Sequence, residues 1–479
     1  MPSSKRSSPS RAPSAQHPRG GQRPRSGPAT GHSLVDQVAL LLTQLRQSPQ
    51  PADALLAAHF KQHRNLGPRE RGAISEACFA VLRERNWFTH LAKDGPGEAA
   101  GRTRRLALLA LAHTGAGVAG ATPEEAVWLQ QAQATAQPAN LDDPMRHNLP
   151  QWLAQRLQAQ LGDEAWPLAQ ALLTPAPLDV RVNIAKAKRS ALAVSLAADG
   201  FENDSTPYSP WGLRMQGKPR LTQSDAFRQG EIEVQDEGSQ LLALLVDARR
   251  GDMVADFCAG AGGKTLAMAA MMRDQGRVYA FDTSTHRLEG LQPRALRAGV
   301  RNLYPIAIAH EADERLKTLA GKMDRVLVDA PCTGLGTLRR SPDRKWRLSE
   351  AEADQYPELQ ARILTAAARL VKPGGRLVYA TCSLLREENE DLARAFAAAH
   401  RDFEPVPVAE VLAKAKVAQA EALTHSLGPS RVEATVAAAD EAASEPATAS
   451  RLAPSPYLRL WPQRHGTDGF FAAVWQRRR

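Results

Sequence analysis

Residues 254–265 read Val254-Ala-Asp-Phe-Cys-Ala-Gly-Ala-Gly-Gly-Lys-Thr265. A short apolar strand ends near Asp256, a glycine-rich turn follows, and a helix-forming stretch begins beyond it. Such a turn lets a ligand approach the backbone closely, at the crevice of an open parallel sheet. The ending Gly263-Lys264-Thr265 imitates a P-loop, but that pattern needs glycine at 258, where the chain has Cys258. About 26 residues further on, a second strand, Val278-Tyr-Ala-Phe281, ends at Asp282. An acid there can hydrogen-bond the two hydroxyls of a ribose. A lone Asp after a strand is usually a turn or a cap; its pairing with the glycine loop favours the nucleoside reading. Asp313, after the third strand, is expected at the edge of the adenine.

The same pattern extends to both sides. Leu303 to Ile308, Arg325-Val-Leu-Val328 and Arg376-Leu-Val-Tyr-Ala380 are further short apolar strands. Amphipathic segments separate them, such as Ser349 to Val371, which stops at Lys372-Pro-Gly-Gly375. Strands alternating with helices predict a doubly wound α/β fold, a parallel sheet with helices on both faces. This domain is read over 233–479. A low-complexity Ala/Glu/Ser-rich insert at 412–455 interrupts it, and Phe470-Phe-Ala-Ala-Val-Trp475 forms a last strand.

Upstream, residues 33–145 read as all-helical. Ser33 and Asp36 form a capping-box start, and Leu34, Val35, Val38, Leu41, Leu42 and Leu45 recur at helical spacing. A second helix begins near Pro68, with Ile74, Ala77, Cys78, Val81 and Leu82 on one face, where Cys78 reads as a core filler. Residues 146–232 mix a helix (Trp152, Leu153, Leu157, Leu161), a strand (Leu178 to Asn183) and a helix near 190–199. They read as a small α+β connecting domain. Residues 1–32 carry six Lys or Arg, no acid and hardly a hydrophobe, and are expected to be disordered. They are either an inert leader or a basic arm.

Composition bounds the function. The chain has 479 residues, enough for two or three domains and a sizeable core. Its 61 Lys and Arg against 51 Asp and Glu leave a net charge of +10. That excess points to a polyanionic partner, nucleic acid first, or else to a compositional bias toward Arg. The longest apolar stretch, Leu106 to Ala121, is too short and too polar to span a bilayer. No apolar run follows the charged start, so no secretory signal is read. Four cysteines without a CxxC pair make neither a disulfide framework nor a structural zinc site. The expectation is a cytoplasmic protein with reduced thiols, with no membrane, no metal and a monomeric state.

Three of those four cysteines then fall in one crevice. The fourth strand leads into Val328-Asp-Ala-Pro-Cys-Thr-Gly-Leu-Gly336, and the fifth into Val378-Tyr-Ala-Thr-Cys-Ser383. Cys258 lies in the glycine loop, and a small buried hydrophobe is the alternative reading for it. Two thiols facing a nucleoside cofactor suggest one chemistry. Carbon 5 of cytosine is a poor nucleophile. A thiolate adding to carbon 6 turns the ring into an enamine that can attack a methyl sulfonium, and a base must later remove the carbon 5 proton. Asp329, Cys332 and Cys382 are the residue types this needs. Arg339, Arg340, Arg344 and Lys345 form a nearby basic run that reads either as help for the thiolate and for phosphates or as a solvated loop.

These motifs resemble the RsmB/NOP/NSUN family of RNA 5-methylcytosine methyltransferases. The resemblance rests on Asp329-Ala-Pro-Cys-Thr-Gly334, Arg340-Ser-Pro-Asp-Arg-Lys-Trp346, Thr381-Cys-Ser383, Val234-Gln-Asp-Glu-Gly-Ser-Gln240 and Gly466-Thr-Asp-Gly-Phe-Phe471. It covers about 33–479 apart from the insert. The helical start, with Leu66-Gly-Pro-Arg-Glu-Arg71, looks like the NusB-like RNA-binding domain of the bacterial RsmB (Sun/Fmu) branch. The resemblance implies a class I, Rossmann-like methyltransferase domain using S-adenosylmethionine, and Cys382 as covalent nucleophile with Cys332 assisting release. It implies cofactor contacts from Cys258, Ala259, Gly260, Ala261, Gly262, Gly263, Lys264, Asp282, Asp313 and Asp329. The family usually has Ala-Pro where this chain has Gly260-Ala261. The implied substrate is a cytosine of 16S ribosomal RNA. Transfer RNA is the nearest alternative, and a non-catalytic RNA-binding transcription or assembly factor the alternative from another class, against which the cysteine pair argues. DNA cytosine and adenine-amino methylation fit less well, because a Glu-Asn-Val motif and an Asn/Asp-Pro-Pro-Tyr motif are both absent.

Overall fold

A computed structural model describes residues 33–97, 101–135, 143–424 and 455–479. The basic leader and most of the expected insert lie outside the described residues.

The helical region begins where the capping signal sits. Asp36 N donates to Ser33 Oγ at 3.2 Å and Ser33 N donates to Asp36 Oδ2 at 3.1 Å, opening the helix Leu34–Gln47. Val35, Val38 and Leu41 on its inner face pack against Ile74 and Cys78 of the helix Pro68–Arg83 and against Leu108 and Leu111 of the helix Arg102–His113. Cys78 is core, and burial pushes its thiol up to about 12.

The next strands, β1 (Leu178–Val182), β2 (Asn203–Ser205), β3 (Gly212–Met215) and β4 (Ile232–Val234), make an antiparallel sheet in the order β2-β3-β1-β4. The helix Arg189–Ala198 covers it through Leu192 and Leu196. The helices Gln151–Leu161 and Ala165–Leu172 do not join this core, although the sequence places them in the connecting domain. Their Leu153, Leu157, Leu168 and Leu172 cluster instead with Leu335, Leu338, Leu384 and Trp461. An amphipathic helix docks wherever an apolar surface is open, and here the loops of the larger sheet offer it.

That larger sheet contains β5 (Met253–Asp256), β6 (Arg277–Asp282), β7 (Leu303–Ala307), β8 (Met323–Asp329), β9 (Val371–Thr381), β10 (Phe403–Pro405), β11 (Leu458–Leu460) and β12 (Phe470–Arg477). Its order is β10-β12-β9-β8-β5-β6-β7, with β11 paired to β12. Strands β5 to β9 are parallel, and β12 inserts antiparallel between β9 and β10. Alternate strand residues serve opposite layers. Val254, Val278 and Leu327 meet Leu241 and Met268 on one face; Ala255, Phe281 and Val328 meet Leu364 on the other, where Phe396 packs in the same layer. The chain runs outward from β5 through β7, then returns to β8 beside β5. This puts a topological switch point between the carboxyl ends of β5 and β8, where such folds hold ligands.

Two local expectations change. The segment 349–371 is two helices, Glu350–Ala353 and Tyr356–Ala368, the second restarted by Pro357 in its first turn. The excursion expected from 412 begins later. Leu412, Val417, Ala420 and Leu423 are buried in the main core, in the helix Val408–Lys414 and the turn that follows it. Their low-complexity composition hides apolar residues at helical spacing. Ser455 N donates to Thr424 O at 3.0 Å, so these two residues meet beside the core. Among the described residues, no helix is long and apolar enough to cross a membrane, and no group of three or more His, Cys, Asp or Glu is placed to hold a metal ion.

Candidate active site

The glycine loop is held by its neighbours. Ala259 N donates to Phe281 O at 2.9 Å, and Gly260 N donates to Asp282 Oδ2 at 2.8 Å. Ser284 N donates to Asp282 Oδ1 at 2.8 Å, so each carboxylate oxygen accepts one backbone hydrogen bond; Arg287 Nη1 stands 3.6 Å from Oδ2, and lone-pair capacity is left for a ligand. Gly262 has φ of +83° and turns the chain into the helix Gly263–Met272; a Cβ there would lie 2.1 Å from Leu291. A cleft of about 810 Å³ opens above the loop. It is lined by Cys258 through Lys264, by Asp282 and by Asp329, which the structure thus brings together.

Asp313 is not part of that lining. Its carboxylate accepts from Ala309 N at 2.8 Å and from Arg315 Nη2 at 2.7 Å, and hydrogen bonds from Arg315 and the Ala309 amide hold it well below the usual carboxylate range. Arg315, two residues on, competes for the acid that sequence position alone assigns to a ligand. Ile308 and Ala309 line the cleft instead.

At the end of β8, Lys264 Nζ lies 2.6 Å from Asp329 Oδ2. Burial opposes the Lys264 charge, but Asp329 outweighs it and holds the ammonium above its ordinary pKa. Asp256 accepts from Thr265 Oγ1 at 2.7 Å, and burial pushes its carboxyl up to about 7. Burial, with Asp256 and Asp329 nearby, also pushes the Cys258 thiol far up, which leaves it an inert wall.

Cys332 Sγ and Cys382 Sγ are 3.4 Å apart. The hydrogen bond to Cys382, then burial, pushes the Cys332 thiol well above its ordinary value. Beneath the pair sits Glu388, fully buried, a residue that sequence reasoning missed. Its carboxylate accepts from Thr333 N at 2.9 Å, from Thr333 Oγ1 at 2.6 Å, from Gln360 Nε2 at 2.8 Å and from Ser383 Oγ. Thr333 and Ser383 each follow one of the cysteines, so one carboxylate clasps both cysteine loops. Gly336 closes the same junction. Its N–H donates to Cys382 O and its carbonyl accepts from Gly469 N, both at 2.8 Å, and a Cβ would sit 2.1 Å from Gly469 O.

The basic run serves the scaffold rather than open solvent. Arg340 is paired with Asp236 at 2.9 Å and with Asp468 at 2.5 Å, all three lining the cleft. Burial and Asp236 push the Asp468 carboxyl up to about 7. Arg344 Nε donates to Thr333 O at 2.8 Å, Arg339 Nη1 donates to Gly466 O at 3.2 Å, and Lys345 Nζ donates to Arg83 O at 2.9 Å. Asp236 and Asp468 belong to quoted motifs, but sequence alone gave them no role.

The parallel sheet, the glycine loop at its switch point and the acid closing the second strand define a class I methyltransferase fold. A solved methyltransferase homolog from Pyrococcus horikoshii superimposes with a TM-score of 0.57 at 30% identity, over 71% of this chain and 99% of that one. The profile described as 16S rRNA methyltransferase RsmB/F matches residues 243–476, and the RsmF/B-like ferredoxin-like domain matches 149–222. The chain belongs to this RsmB/F methyltransferase family. Ribosomal RNA small subunit methyltransferase B of Xanthomonas campestris is 30% identical over 74% of this chain and 89% of its own length. The probable enzyme of that name from Bacillus subtilis is 34% identical over 55% of this chain. The match spans only 60% of the Bacillus protein.

Proposed function

We propose that this protein is an S-adenosylmethionine-dependent methyltransferase that modifies carbon 5 of a cytosine in 16S ribosomal RNA, in the cytoplasm, through a covalent bond to Cys382. The observation that carries the reading is the thiol pair, 3.4 Å apart, beside the Lys264–Asp329 pair and the glycine-loop cleft. The names of the Xanthomonas and Bacillus relatives support the substrate.

The cleft fits the cofactor. Its volume falls within the several-hundred-Å³ range of small-molecule sites, Gly260 leaves backbone open to close approach, and Asp282 keeps lone pairs for ribose hydroxyls. S-adenosylmethionine, when bound, supplies an electrophilic methyl group. The loop from Cys258 to Lys264 and Asp282 would hold it.

In this reading Cys382 gives its proton up to solvent and its thiolate forms a bond to carbon 6, and the ring's double-bond electrons move toward carbon 5. Asp329 meets the polar edge of the base near nitrogen 3, with Lys264 fixing its orientation. After methylation the carbon 5 proton passes to Cys332. The electron pair re-forms the ring double bond and expels Cys382 as thiolate. The resting Cys332 thiol must first lose its own proton to solvent to act as this base. Glu388 holds both cysteine loops for these steps, and the helical domain over 33–145 serves as a NusB-like RNA-binding module.

The test is to incubate the protein with S-adenosylmethionine and a 16S ribosomal RNA transcript, then separate the nucleosides by mass spectrometry. One added methyl on the cytosine ring is expected. A methyl on adenosine or ribose, or none, overturns the reading.

A further inference from the structure

A second cavity, of about 460 Å³, lies where the helical domain meets the catalytic domain. It is bounded by Arg46, at the end of the helix Leu34–Gln47, by Arg85, which opens the helix Arg85–Leu91, and by Arg102, which opens Arg102–His113. The catalytic domain adds Trp346 and Arg347. Four guanidinium groups thus converge on one groove. Arg46 and Arg102 are exposed, and none of Arg46, Arg85 and Arg102 makes an ion pair with a carboxylate among the described residues. The carboxylate in the lining, Asp343, is buried and already engaged by Arg347 Nε at 2.8 Å and Ala52 N at 3.2 Å. Arg85 lies over the Trp346 ring at 5.1 Å, which fixes its direction. The Arg46 charge also disfavours that of Arg85, which is lowered by burial and then by this repulsion. Like charges gathered without counter-charges are unfavourable unless an anion joins them.

We propose that this groove is a docking site for the phosphate backbone of the substrate RNA. The proposal rests on the RNA-methyltransferase reading for the identity of the polyanion. Its place supports the same occupant. Trp346 is two residues beyond Arg344, which donates to the carbonyl of Thr333, the neighbour of Cys332. One short segment therefore joins the groove to the cysteine loop, and an RNA seated in it is tied to the site where a base must be presented. Phosphate contacts of this kind position a nucleic acid without reading its sequence.

The test measures binding of the full chain to the 16S transcript over a range of salt, without S-adenosylmethionine. Each phosphate contact contributes about 0.7–0.9 to the log–log slope. The triple variant Arg46→Gln/Arg85→Gln/Arg102→Gln should flatten that slope by about two units. The triple lysine variant should restore most of it, and Arg301→Gln, at the far end of the sheet, should leave it unchanged. Unchanged binding of S-adenosylhomocysteine verifies the fold, and the three single variants supply the same measurement if the triple fails to fold. A wild-type slope in the glutamine variants overturns the groove. A chain that methylates RNA while these slopes stay unchanged loses the groove and keeps the function. A chain whose slope flattens but which methylates no cytosine loses the function and keeps the groove.

Discussion

Cys332 and Cys382 face each other sulfur to sulfur at 3.4 Å, each just past the carboxyl end of its own strand, β8 and β9, which pair in parallel. One thiol hydrogen-bonds the other, so the two cannot be chemically equivalent. In the proposed mechanism Cys382 is the sulfur that attacks and Cys332 the one that serves release. Cys382→Ala should form neither adduct nor product. Cys332→Ala should add and methylate but release slowly, leaving a protein–RNA adduct that survives a denaturing gel in the presence of cofactor. An adduct on Cys382→Ala, with none on Cys332→Ala, would assign the nucleophile to Cys332.

Asp282 receives one backbone hydrogen bond on each oxygen and faces the cleft. Asp282→Ala should weaken S-adenosylhomocysteine binding by roughly 1.5–3 kcal/mol, the range for a hydrogen bond to a charged group. Calorimetry reads it directly, and unchanged affinity would remove Asp282 from the site.

Glu388 collects donors from both cysteine loops. In Glu388→Gln an amide nitrogen would face some of those donors, at a cost of about 1–3 kcal/mol. Urea unfolding should show that loss, and adduct formation by Cys332→Ala should slow when the second change is added. Equal stability and an equal adduct rate would mean that the loops are held elsewhere.

Lys345 is buried between the domains, and burial lowers its ammonium to about 7. In the unfolded chain a lysine titrates near ~10.4. Between these values the unfolded chain holds a proton that the folded one has shed, so stability should rise with pH across that window. The contribution approaches about 1.4 kcal/mol per pH unit. Lys345→Met should flatten the rise between pH 7 and about pH 9 in urea titrations. A slope identical to wild type would show that the ammonium stays charged in the fold.

Much of the catalytic domain was legible because its signals are local. Each strand from β5 to β8 is a short, mostly apolar run. Strand β9 ends in one although it starts earlier, at Val371, through Lys372-Pro-Gly-Gly375. The glycine loop, Asp282, Asp329 and both cysteines stand at or just past the ends of these runs. What could not be read depends on contacts far apart in sequence. Glu388 gains its place from Thr333 and Gln360, which lie 55 and 28 residues away. Asp313 has the right position in the chain, yet Arg315 claims its carboxylate. The arginines after Cys332 read as a solvated or phosphate-binding run until Asp236, Asp468 and backbone carbonyls from other elements are seen to engage them. The helices over 151–172 have clear amphipathic spacing, but spacing names no partner, and theirs comes from the catalytic loops.

The hydrogen bond from Ser455 N to Thr424 O holds side by side two residues that lie 31 positions apart in the sequence. Closure entropy grows slowly with length, by only about 0.6 kcal/mol per doubling, so the fold is nearly indifferent to how many residues join Thr424 to Ser455. The junction of Thr424 and Ser455 is therefore a natural port for engineering. A fluorescent reporter, an affinity tag or an entire folded module whose own ends lie close together can be spliced in there, leaving the register of β11 and β12 untouched.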